Sequence, residues 1–147
     1  MFMLLMLTVI SLPLAPIADE TQVPDNYQGV WKIVAAVDED GIRSTSDDTG
    51  FAESNPIELL IIGNRVIQVK DDGSSVLAVA TVLQSKNGLT LDLRTGIAHD
   101  KTNSPTYWNL KLENNKLKIE LAVDRYDKDP RTNTKAVPSY QAIRQRR

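Results

Sequence analysis

From residue 27 onward the chain runs in short apolar stretches divided by Gly, Asn and Asp, and almost no segment keeps a helical period. Residues 30–37 predict a first strand with Trp31, Ile33, Ala35 and Val37 on one face, ending in the polar turn Asp38-Glu39-Asp40-Gly41. Residues 57–62 and 65–70 flank Gly63-Asn64, a two-residue connection suited to a type II′ or I′ turn, whose twist matches that of the strands. Asp71-Asp72-Gly73-Ser74 then turns the chain into residues 76–83, and Lys86-Asn87-Gly88 turns it into 89–94. Residues 107–112 and 117–123 flank Asn114-Asn115, with Trp108, Leu110 and Leu112 alternating against Asn109, Lys111 and Glu113. Residues 138–144 form a last strand.

The fold class is therefore all-β. Eight strands joined mainly by tight turns close into an antiparallel up-and-down barrel, which removes the unpaired edges of an open sheet. A two-sheet β-sandwich is the alternative. Two stretches interrupt the meander: residues 38–56, mostly Ser, Thr, Asp, Glu and Gly, and a polar loop over 124–135. A connection as long as 38–56 is usually functional, and it is a candidate lid. Residues 57–62 and 76–83 are apolar on both faces, so one face of each is expected either to lie under other parts of the chain or to meet a partner.

The amino end is different in kind. Residues 2–18 are uncharged and apolar and stop abruptly at Asp19-Glu20, the pattern of a signal peptide. The run is marginal for crossing about 30 Å of hydrocarbon and contains Pro13 and Pro16. No Lys or Arg precedes it, and Pro16 stands two residues before Ala18 where a small residue is usual, so an uncleaved anchor is the alternative to removal. The expected organisation is residues 1–18 signal peptide, 19–26 a polar lead and 27–147 one barrel domain, exported to the periplasm, cell envelope or exterior. A chain of 147 residues has room for one domain with its own core. With no cysteine it has no disulfide, thiolate metal site or thiol nucleophile. Seventeen Lys and Arg against nineteen Asp and Glu leave a net charge of -2, which provides no field for nucleic acid.

Gly29-Val30-Trp31 resembles the Gly-X-Trp signature that opens lipocalin-like barrels. Together with Gln28 and Lys32-Ile33-Val34 around it, the Ile62-Gly63-Asn64-Arg65 hairpin, the stretch Leu112-Glu113-Asn114-Asn115-Lys116-Leu117-Lys118-Ile119 and a short final strand ending in basic residues, it is similar to the exported lipocalin-like domains of planctomycete bacteria. The resemblance spans residues 27–147. It implies a barrel closed at one end by Gly29 and Trp31, with an Arg of the last strand lying across the indole; Arg144 matches by position and Arg146 is the reserve. The sequence departs from the family in carrying Asp129-Pro130-Arg131 where an Arg-Pro segment is usual. The family has no established activity, so the resemblance implies a fold and export only.

Candidate chemistry is sparse. His99 is the single histidine and has no Cys or second His to share a metal, and no Gly-X-Ser-X-Gly elbow exists for a Ser-His-Asp system. Asp92 and Glu120 alternate against leucines and isoleucine and should point outward, whereas Glu58 is ambiguous. Asp38-Glu39-Asp40, Asp47-Asp48, Asp71-Asp72 and the acids at 124, 127 and 129 lack the spacing of a calcium loop. No catalytic residue, metal ligand or cofactor is expected. The expected function is a non-enzymatic barrel that binds one small hydrophobic molecule, with Ile33, Ala35, Trp108 and Leu110 as candidate ligand contacts. The alternative is an envelope module with a filled barrel and a protein partner on its outer strands.

Overall fold

Alternation at period two gives the sheet a continuous apolar inner face, and the sheet curls until its first and last strands meet. The computed structural model describes residues 22–85, 88–95, 106–122 and 137–146. Among them are nine strands: β1 (Gly29–Val37), β2 (Arg43–Thr45), β3 (Glu58–Ile62), β4 (Arg65–Val69), β5 (Ser75–Ser85), β6 (Gly88–Thr95), β7 (Thr106–Glu113), β8 (Lys116–Ala122) and β9 (Ser139–Arg144). Every pairing is antiparallel, and eight strands close in the order β1-β3-β4-β5-β6-β7-β8-β9, with β9 returning to β1. This is the closed barrel and not the sandwich. The short β2 is additional, and pairs with the end of β1 that β3 leaves free.

Turn chemistry fixes the register. Gly63 has a φ of 63°, the positive value required at the first central position of a type II′ turn. Asn114 and Asn115 have φ of 47° and 63°, so both central residues are left-handed, as type I′ demands. These turns hold Ile61 opposite Val66 and Leu112 opposite Leu117, inner face against inner face. At Gly88 a Cβ would lie 2.6 Å from the carbonyl oxygen of Leu110, so any side chain there would push β6 off β7.

The inner faces make one continuous core. β6 and β7 supply the bulk with Leu91, Leu93, Trp108 and Leu110, while β5 supplies Ala78 and Ala80. Large side chains from one wall thus use the space left by small ones on another, as small barrels require.

Two expectations are corrected. The register between β1 and β9 shifts between Ile33 and Ala35, a β-bulge that adds one residue to β1 and reverses the facing of the residues after it. Ile33 faces the interior opposite Ala142, and beyond the bulge it is Ala36, opposite Tyr140, that joins the core. Ala35 pairs with the exposed Gln141 and lies on the outer face, so the predicted inward set of Ala35 and Val37 is displaced by one residue. The second correction concerns residues 38–56, predicted as loop throughout. They contain β2 and a four-residue helix, α1 (Phe51–Ser54). His99, Arg147, residues 1–21 and the polar loop 124–135 lie outside the described residues.

Candidate functional site

The two ends of the barrel are built differently. At one end Trp31 is fully buried, and its Nε1–H donates to the Tyr27 carbonyl at 2.9 Å. The Arg144 guanidinium lies over the indole, 4.3 Å from the ring centroid, and donates to the carbonyls of Gln28 at 2.6 Å and Asn26 at 2.5 Å. A 3-10 turn over Asp25–Tyr27 presents these carbonyls. Gly29 beside them has a φ of 121°, and a Cβ there would stand 3.2 Å from Arg144 Nη1. Val23, from the polar lead, is buried in the core and tied by its N–H to the Gly63 carbonyl. Gln28 completes the seal: its amide donates to the carbonyls of Val23 and Gly63 and accepts from the Gly63 N–H. This end is a structural closure, held by these hydrogen bonds and by the stack of Arg144 on Trp31.

The other end is a mouth, formed where β1 and β8 finish and β9 begins, and covered by residues 38–55. The cover is held by local hydrogen bonds. Asp38 accepts from the N–H groups of Asp40 and Ile42, and Asp48 accepts from the N–H and hydroxyl of Thr45. Gly50, left-handed at φ 83°, turns the chain into α1, whose Phe51 is buried in the barrel core while its neighbours face water. Asn55 closes α1 by donating from its amide and its backbone N–H to the Phe51 carbonyl. These acids therefore serve turns, as does Asp72, whose carboxyl is held below its usual range by its hydrogen bonds from Ser74.

Between cover and mouth lies a cavity of about 490 Å3, partly open to solvent. Its apolar wall includes Ala36, Val37, Phe51, Leu121 and Tyr140, and its rim carries Asp38, Glu39, Ser44 and Asp48. Burial raises the Tyr140 phenol above its ordinary range, and Tyr27 at the closed end is raised for the same reason. The folded protein keeps the Tyr140 proton after the unfolded chain has lost it near pH 10, so this group lowers stability as pH rises above about 10. An ultraviolet titration should show late-ionising phenols, one of which disappears in Tyr140→Phe. Ordinary titration of Tyr140 would mean that its phenol is not buried in the cavity wall.

Ile33, Trp108 and Leu110 are packed in the core, and none lines the mouth cavity. Ala35 lies on the outer wall. Asp92 points outward to Arg94 and Glu120 to Lys118, as alternation requires, and Glu58 proves to face outward, accepting from Gln145. The cavity is lined largely by residues of 38–55, within the stretch expected as a lid, whereas Ala36, Leu121 and Tyr140 on its wall were not among the expected ligand contacts. The available signal was Phe51, a lone aromatic within a polar stretch.

A second feature is on the outer wall. Cross-strand register aligns Leu60, Ile67 and Leu77 in one row and Ile62, Arg65 and Val79 in the next. Ile62, Leu77 and Val79 are 57%, 49% and 46% exposed, so the outward apolar positions of the strands over 57–62 and 76–83 meet water. The chain matches no family model, no curated protein and no solved structure.

Proposed function

We propose that this protein is an exported, non-enzymatic lipocalin-like barrel that holds one small, mainly apolar molecule at its mouth, beneath residues 38–55. The observation that carries the reading is the cavity of about 490 Å3 between the barrel core and the α1 cover, within the range of small-molecule sites. Phe51, Ala36 and Leu121 supply apolar contact, and the Tyr140 hydroxyl supplies one polar handle. The hydrogen bonds made by Trp31, Arg144 and Gln28 at the opposite end support the mouth as the route of entry. Residues 2–18 support export, and Gly29-Val30-Trp31 beneath Arg144 supports the family resemblance.

Titration with an apolar fluorescent probe tests the site. Ala36→Leu extends a side chain into the cavity and should weaken the probe by about tenfold, equivalent to about 1.4 kcal/mol. Unchanged binding in that variant, with the fold intact by circular dichroism, would place the probe elsewhere. The two adjacent rows that expose Leu77 and, beside it, Ile62 and Val79 favour a second reading, an envelope module that meets a protein partner through β3, β4 and β5. That reading expects Leu77→Lys to abolish co-purification of a partner and to leave probe binding unaltered.

A further inference from the structure

The β1 bulge has a consequence on the outside of the barrel. By turning Ala35 outward it sets the shortest side chain of its neighbourhood among long ones, and the result is a dent of about 400 Å3 in the outer wall. Ala35 forms the floor and is only 4% exposed. The rim carries Arg43 from β2, Gln141 from β9, Lys116 and Lys118 from β8, and Lys111 from β7.

The charge around this dent is unlike that of the whole chain. Four cations border it with one carboxylate, Glu113, although the net charge of the protein is -2. Lys111 and Lys118 stand directly opposite each other on β7 and β8, a like-charge pairing that opposes folding. Each leans away to a glutamate of its own strand, Lys111 to Glu113 at 3.0 Å and Lys118 to Glu120 at 2.7 Å. Arg43 reaches across the dent to the neutral Gln141 Oε1 at 3.4 Å, a long bond that an anion would replace with a charge-assisted one. Ala35 and the neighbouring Ile143 offer an apolar surface beneath these donors.

We propose that this dent binds a small organic oxyanion of the phosphate-ester type, with its charged oxygens on Arg43 and Lys118 and its carbon portion against Ala35. The guanidinium supplies paired N–H donors, Lys118 an ammonium, and Gln141 an amide N–H. A concave floor with long-armed cations around it fits a compact molecule better than a flat charged surface. The site lies on the outer wall, apart from the mouth cavity, and stands whether or not the mouth takes a ligand.

The test is a nuclear magnetic resonance titration of the intact protein with phenyl phosphate and, separately, with inorganic phosphate. Saturable shifts are expected at Ala35, Arg43, Lys118 and Gln141, weakening as salt is added. Arg43→Gln and Lys118→Gln should each weaken phenyl phosphate about tenfold, as the loss of one charge-assisted bond does. Both positions are on the surface, so the variants keep the fold. Ala35→Leu, which leaves every charge in place and fills the dent, should weaken phenyl phosphate several-fold more than inorganic phosphate. Absence of saturable shifts, or equal affinity in all three variants, would overturn the proposal. So would binding seen only with vesicles of anionic phospholipid, because that outcome assigns the cations to a membrane surface.

Discussion

Trp31→Ala is expected to lower the stability of the barrel by about 3–5 kcal/mol, read from urea denaturation monitored by circular dichroism. Three losses combine. The indole is fully buried opposite Leu59 of β3, so its removal leaves a cavity that the closed sheet cannot collapse to fill. The Tyr27 carbonyl loses the Nε1–H donor, and Arg144 loses the ring beneath it. Trp31→Phe keeps most of the volume and removes the donor, and should recover a substantial part of the loss. A change below about 1 kcal/mol in Trp31→Ala would take this residue out of the core and with it the account of the closed end.

The second large effect is expected at Arg144. Arg144→Ala should cost about 2–4 kcal/mol, because it removes two charge-assisted hydrogen bonds to carbonyls at the closed end together with the stack on Trp31. Arg144→Lys should restore less than half of this. An ammonium is a compact charge and cannot lie flat on the indole while donating to Asn26 and Gln28 at once. Hydrogen exchange gives a local reading of the same variant: amides of the segment from Val23 to Gly29 should exchange faster than those of β6 and β7. Uniform acceleration across the barrel would show that Arg144 acts on global stability without pinning this segment.

The barrel was legible in the sequence because its strands alternate cleanly and its turns carry the residues their geometry demands. Asn114-Asn115 and Gly63-Asn64 each fixed a hairpin, and with the register fixed the inner faces followed. The bulge was not legible, for a physical reason. Ala35 and Ala36 are identical side chains in adjacent positions, so alternation alone does not tell which one faces inward; the pairing of β1 with both β2 and β9 decides it. The cover over the mouth was hidden for another reason. β2 has three residues and α1 has four, too few for either period to register, and both owe their form to contact with the barrel. The candidate site is accordingly where local sequence carries least information. Its floor depends on the bulge, and its cover depends on Phe51 finding the core.

On the proposed reading, the cavity at the mouth of this barrel holds a small apolar molecule. The most direct test is native mass spectrometry, with parallel solvent extraction, on protein isolated gently from its own cells. The account predicts one small apolar molecule per chain, retained in Leu77→Lys and lost in Ala36→Leu. An empty chain, with no extractable molecule and no response to Ala36→Leu, would contradict it.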